Sequence, residues 1–228
     1  MRVAIVQSNY IPWKGYFDLI ASVDRFILYD DMQFTRRDWR NRNKIKTPQG
    51  LTWLTVPVLS KGKYFQTIKD TRIDGTAWAA KHWKSIETNY ARAPHFKMMA
   101  DIFRPAYEKD IPDFLSELNA KLIRKVCEFL NIDAIVESSA DYDLVDGPSA
   151  RLADLCKQVG ADVYVSGPLA RDYLDISLFS EKGVEVEWFD YSGYPIYDQL
   201  WGEFEHGVSI LDLISNTGLT APNYMKNV

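Results

Sequence analysis

Only two cysteines, Cys127 and Cys156, occur among 228 residues, each inside an amphipathic helical pattern. Neither a disulfide framework nor a paired zinc motif is therefore available, and both read as buried structural thiols. No stretch approaches the roughly eighteen consecutive apolar residues of a membrane-spanning helix. The opening MRVAIVQSNY meets Gln7 and Asn9 too early to form a signal-peptide core, so a cytoplasmic location with no membrane partner is expected. Glycine-rich phosphate fingerprints, G-x-G-x-x-G and the Walker pattern alike, are missing, as are internal repeats and low-complexity linkers. Charge of one sign does not dominate: 27 basic against 31 acidic side chains leave a net charge of -4, so DNA is not an expected partner. The 46% hydrophobic content excludes collagenous and disordered classes, and a chain this long can bury a core without metal or disulfide staples.

Aromatic residues, by contrast, are abundant. Seven Trp and thirteen Tyr exceed what a core of this size needs, and several adjoin turn residues, where side chains are often exposed for binding. Residues 2–7 form a β-branched run, followed by a turn and an amphipathic stretch from Gly15 to Ser22. RFILYDD (25–31) then completes a β-α-β unit with parallel pairing. A polar, basic stretch from Phe34 to Gly50 precedes LTWLTVPV (51–58) and KYFQTIKDTRI, which predict an antiparallel excursion with one or two further short strands. Helical patterns follow over 78–90, 96–107 and 112–130, so residues 76–131 read as a helical insertion lobe. Alternation resumes with a strand at 134–138, a helix at 149–159, strands at 162–167 and 184–191, and a short closing helix in SILDLIS. The whole reads as one α/β domain, 1–228, with a mostly parallel Rossmann-like sheet carrying helices on both faces.

Ligands of such sheets bind where strand C-termini open into loops. Gln7, Asn9 and Tyr10 after the first strand, and Asp30, Asp31 and Gln33 after the second, are expected to converge there with Ser166 and Gly167; Tyr173, Tyr197 and Gln199 are further candidate contacts. The densest signal is RRDWRNRNKIK (36–46), in which Arg36, Arg37, Arg40, Arg42, Lys44 and Lys46 face the single acid Asp38. Arginine forks bind phosphate bidentately, and Asn41 and Asn43 add directional donors, a mixture suited to a nucleotide or diphosphate-sugar headgroup. A merely solvated basic loop is the plain alternative, and contact of this one patch with tRNA stays open as a weaker one. In QSNYIPWKGYF, Pro12 stiffens the loop and Gly15 permits close approach at a helix start, with Trp13 and Lys14 beside it. His82, on a helix with Ile86 and Tyr90, is the general-base candidate; His95 and His206 read as exposed or capping residues. Asp30 and Asp31 could hold a divalent ion, but a strand-end acid pair more often caps a loop, so no metal site is assigned and no cofactor is identified.

Gln7, Asn9, Tyr10, Pro12 to Tyr16, Tyr29 to Asp31, Gln33, the block Arg37 to Lys46, Trp53, His82 to Tyr90, Ser166-Gly167, Tyr173-Leu174, and Gln199 through Ser209 and Asp212 together resemble the WbqC-like family over nearly the whole chain. Ser8 stands where the family pattern usually has Pro. The resemblance implies a part in bacterial surface-polysaccharide (lipopolysaccharide, O-antigen) biosynthesis. The strand-loop-helix-strand opening is also similar to nucleotidylyltransferase-like enzymes of the pantothenate-synthetase type, which place an H-x-G-H motif where this chain has Trp13-Lys14-Gly15-Tyr16. Loss of both histidines argues against ordinary adenylyl transfer. The expected activity is a transferase moving an acyl or aminoacyl group from its donor to an amino sugar on a nucleotide carrier. In it His82 is the base, Arg40, Arg42 and Lys44 neutralise phosphate, and Asp31 and Gln33 orient the acceptor. The alternatives are an ATP-dependent ligase or nucleotidylyltransferase using Lys14 and the basic loop, and a non-catalytic nucleotide-sugar or partner-binding protein.

Overall fold

The computed structural model describes residues 1–228. Five short strands form an all-parallel sheet: β1 (Arg2–Val6), β2 (Arg25–Leu28), β5 (Ile135–Ser138), β6 (Val163–Ser166) and β7 (Glu185–Trp188), in the spatial order β5-β2-β1-β6-β7. Chain order runs outward from β1 to one edge and then resumes on its other side at β6. The reversal of winding therefore lies between β1 and β6, the switch point at which sheets of this kind bind ligands. Val3 pairs with Arg25 and with Tyr164, so the central strand is hydrogen-bonded on both sides.

Alternation along the strands separates two faces. Ala4, Phe26, Leu28 and Val165 point into a large core shared with the helices α1 (Lys14–Ala21), α2 (Ala77–Tyr90), α3 (Phe96–Phe103), α4 (Pro105–Glu108), α5 (Leu115–Leu130) and α8 (Ile210–Thr217). Val3, Ile5, Ile27, Tyr29 and Tyr164 point the other way, against α6 (Pro148–Gln158) and α7 (Ser177–Ser180). A period of two on a parallel sheet thus gives the three-layer, Rossmann-like arrangement with helices on both faces.

The excursion after β2 contains the antiparallel hairpin β3 (Arg42–Thr47) and β4 (Gly50–Thr55). Part of the expected basic loop is therefore a strand. Asn43, Ile45 and Thr47 are buried while Arg42 and Lys44 are less so, an alternation hidden in the sequence because Asn43 carries it. The further strands expected in 63–73 are absent as strands; that stretch makes only the isolated bridges Gln33 to Thr67, Val58 to Ile73 and Arg72 to Phe114. The helix read over 96–107 is broken at Pro105, which lacks an N–H and so opens α4 rather than continuing α3. On α5, Leu115, Leu118, Leu122, Ile123, Val126 and Leu130 are all buried, each worth roughly 1.5–3 kcal/mol against exposure. Cys127 and Cys156 are buried free thiols, both pushed up to about 12 by desolvation. No helix is long and apolar enough to cross a membrane.

Candidate functional site

The loop from Gln7 to Trp13, which follows β1, is held from every side. The Ser8 amide donates to the buried Asp30 carboxylate at 2.8 Å, and the Ser8 hydroxyl accepts from Asn119 at 3.0 Å. Asn43, on β3, donates to the carbonyls of Tyr10 (3.1 Å) and Ile11 (2.9 Å); the Ile210 amide donates to the Pro12 carbonyl at 2.9 Å. Ile11 has φ 37°, a left-handed conformation costly for a β-branched residue and kept here by this surrounding network. Gly15 lies directly under the Trp13 indole, where a Cβ would stand 2.3 Å from the ring.

Two cavities flank this loop. The first, of about 390 Å³, opens at the switch point and is lined by Gln7, Tyr29, Met32, Tyr164, Ser166, Gly167, Leu169, Tyr173 and Tyr191 among others. Its wall carries no charged side chain. The second, of about 320 Å³, is lined by Asn9, Pro12, Trp13, Trp39, Asn43, His206 and Gly207. The partition between them is aromatic: the rings of Trp13 and Tyr191 stand 5.6 Å apart.

Cations and indoles gather beside the second cavity. Trp39 and Trp53 pack at 5.2 Å, the Arg42 guanidinium lies 4.0 Å over Trp53, and the Lys44 ammonium lies 5.7 Å and 5.2 Å from the Trp39 and Trp53 ring centres. Arg40 donates to the Asn9 side chain and lies 3.8 Å from Asp38. Asn41 Oδ1, Arg42 Nε and Asn119 Oδ1, three of the six buried side-chain polar atoms without a partner, lie on or against this basic segment. The Ser209 amide donates to the Lys44 carbonyl at 2.9 Å, which carries His206 and Gly207 to the same cavity. Desolvation, with the charge of Lys14 as a second cause, lowers the His206 pKa, so its imidazole is neutral at neutral pH.

The structure thus brings Gln7, Ser166, Gly167 and Tyr173 together at the first cavity and Asn9, Trp13 and Asn43 at the second, with Arg40, Arg42 and Lys44 close by. The other candidates are placed elsewhere. His82 is buried, lines neither cavity, donates from Nε2 to the Thr55 carbonyl at 3.2 Å and accepts at Nδ1 from the Tyr10 hydroxyl at 2.9 Å. The Tyr107 hydroxyl donates in turn to Tyr10, at 2.9 Å. Burial lowers His82 to about 4, and its bonds with Tyr10 and Thr55 tie α2 to the β1–α1 loop and the end of β4. Asp31 accepts from Ser139 at 2.6 Å and pairs with Lys69, and Gln33 donates to the Tyr64 carbonyl at 2.7 Å. Arg37 is an exposed left-handed turn residue with φ 60°. Asn41 donates to the Val56 carbonyl within the hairpin region, at 2.8 Å. Lys14 is enclosed by the rings of Tyr194, Tyr197 and Phe204, donates to the Pro195 carbonyl at 2.8 Å, and is lowered to about 8 by burial. Gln199 and Tyr197 bind the buried Asp212, which also accepts from Tyr90 on α2, so these groups tie the C-terminal segment to the helices.

His206, read from the sequence as exposed or capping and exposed in the structure, also lines the second cavity, and the sequence did not single out Trp39 or Tyr191 for these walls. Tyr191 follows β7 and obeys the same strand-end rule that located Ser166, whereas nothing local marks His206, which the Ser209–Lys44 backbone bond delivers. No group of three or more His, Cys, Asp or Glu side chains is placed to hold a metal ion; the acid pair divides, Asp30 facing Ser8 and Asp31 facing Ser139.

No solved structure matches the chain. The uncharacterized protein Rv1507c of Mycobacterium tuberculosis is 56% identical over 225 residues, covering 99% of this chain and 97% of that protein. The family model for WbqC-like proteins matches residues 7–224, which take in the β1–α1 loop, the basic hairpin and the segment bearing His206. Apart from Ile5 and Val6, the residues lining the two cavities fall within that match, and the chain belongs to the WbqC-like protein family.

Proposed function

We propose that the protein is a transferase of bacterial surface-glycan assembly that moves an acyl or aminoacyl group onto the amino group of a nucleotide-linked amino sugar. The observation that carries this reading is the convergence at the second cavity of indole walls, amide side chains and His206, with Arg40, Arg42 and Lys44 alongside. Arginine forks and the lysine ammonium neutralise a diphosphate. Indole faces suit the apolar face of a sugar or base. The uncharged first cavity, bordered by the Trp13 and Tyr191 rings, accommodates the acyl chain of the donor, with its carbonyl reaching past those rings to the acceptor amine.

In this reading the acceptor amine attacks the donor carbonyl and the bond to the leaving group breaks. Neutral His206 takes the amine proton as the new amide forms. This replaces His82 as base, since both His82 ring nitrogens are already engaged. The glycan setting comes from the family resemblance.

Thermal stabilisation against UDP- or dTDP-linked amino sugars, ATP with magnesium, acyl-CoA and aminoacyl donors tests the assignment. A nucleotide amino sugar at about 100 times its dissociation constant adds roughly 2.7 kcal/mol. Arg42→Ala should weaken that shift, while His206→Gln should keep it and lose product formation by about 10²-fold or more. A shift with ATP and magnesium alone would replace this reading by a ligase, and full turnover by His206→Gln would remove the base assignment.

A further inference from the structure

The segment between Val58 and Thr67 presents two aromatic rings that the core does not use. Tyr64 is 75% and Phe65 84% exposed, with the rings edge-on at 5.0 Å; Leu59 beside them is 41% exposed. Such exposure at adjacent large side chains means a protruding tip rather than the wall of a groove. The backbone beneath is fixed. Gln33 donates to the Tyr64 carbonyl at 2.7 Å, Arg36 to the Ser60 carbonyl at 3.0 Å, and the Phe34 amide to the Gln66 carbonyl at 2.9 Å. The fold thus holds the two rings out in water on a well-tied loop, although it gains nothing from their exposure.

The tip is also basic. Lys61 and Lys63 flank its turn at Gly62, are exposed, and form no ion pair. With Arg36 they border one surface groove, in which Asp74 is the only acid. This local excess of positive charge stands out in a chain whose net charge is -4. The acidic remainder gives no general attraction to a negative surface, so any such attraction is confined to this tip and orients the molecule.

We propose that this tip docks the protein on an anionic membrane surface, with Tyr64 and Phe65 entering the boundary between headgroups and acyl chains and Lys61, Lys63 and Arg36 facing lipid phosphates. Aromatic rings favour that boundary, and basic side chains next to them add attraction to anionic lipid. A protruding pair without an apolar floor fits a deformable bilayer better than a preformed protein pocket. The inference is independent of the catalytic reading, because none of these residues lines either cavity.

Co-sedimentation of the full chain with vesicles of phosphatidylcholine alone, and of phosphatidylcholine mixed with phosphatidylglycerol, provides the test. Binding is expected to the mixed vesicles only, and to weaken as salt rises. Lys61→Glu with Lys63→Glu should lower the partition coefficient about tenfold or more, since each basic residue near an anionic surface contributes roughly fivefold. Tyr64→Ser with Phe65→Ser should abolish binding while leaving the thermal midpoint unchanged. The difference in emission between the Phe65→Trp protein and the wild type, which isolates the new indole from the seven native ones, should shift to the blue on mixed vesicles and be quenched by brominated lipid. Absence of vesicle binding, binding that survives both double substitutions, or a Phe65→Trp minus wild-type emission difference that lipid leaves unchanged would each overturn the proposal. So would concentration-dependent self-association that Tyr64→Ser with Phe65→Ser removes without any lipid binding, which would reassign the tip to a contact between chains.

Discussion

At the scale of single residues, His82 and His206 show how placement decides the work of one side chain. His82 is buried under Tyr10 with both nitrogens bonded, and is lowered from 6.5 to about 4. Its folded pKa lies below its unfolded one, so acid favours the unfolded chain, which takes up the proton first. Stability is fully present above pH 6.5 and declines as pH falls towards 4, by roughly 3 kcal/mol in all for a shift of this size. Urea denaturation of the wild type and of His82→Gln across that range measures the difference. The substitution should cost about 1–3 kcal/mol at neutral pH by disturbing the Tyr10 hydroxyl, and should flatten this part of the pH dependence. An equally steep decline in His82→Gln would refute the assignment. The sequence named His82 because a rigid helix with polar neighbours suits a base, but it could not show which way that helix face turns. Gln7, Ser166 and Gly167 were readable because strand ends fix where they emerge, whatever the helices do.

At the scale of elements, the most exacting junction is the end of α8. Gly218 closes that helix with φ 59°, and a Cβ there would lie 2.5 Å from Cγ and Nδ1 of His95, whose backbone amide donates to the Ser215 carbonyl at 2.9 Å. Backbone conformation and close approach both demand glycine. Gly218→Ala should destabilise the protein by about 1–3 kcal/mol from conformation alone, and by more once the imidazole is displaced. The expected sign is a lower urea midpoint at unchanged slope; a midpoint equal to that of the wild type would show that the junction yields freely. Elements with strong periodicity, such as α5 and β2, were legible in the sequence. The hairpin was only half so: β4 announced itself through Thr and Trp, but β3 buries Asn43 and Lys46, which read as part of an anion-binding loop until Tyr10, Gln199 and Asp212 are brought alongside.

At the scale of the whole molecule, the helices α2 to α5 share their core with β1, β2 and the hairpin. The segment read as a helical lobe has no separate apolar interior, and its removal would strip one face of the sheet. Calorimetry should therefore show one transition with matching calorimetric and van't Hoff enthalpies, and two resolved transitions would contradict the shared core. Layer order was legible from alternation, whereas strand order was not, because β2 and β5 are neighbours although more than a hundred residues separate them in the chain. From this arrangement follows a property of the β1–α1 loop. It contributes Gln7 to one cavity and Asn9, Pro12 and Trp13 to the other, and its backbone is pinned through Asn43 and Asp30. A guest that shifts that wall on one side reshapes the chamber on the other. With donor and acceptor in the two cavities as proposed, any such coupling is reciprocal: each occupant alters the other's affinity by the same factor whichever arrives first.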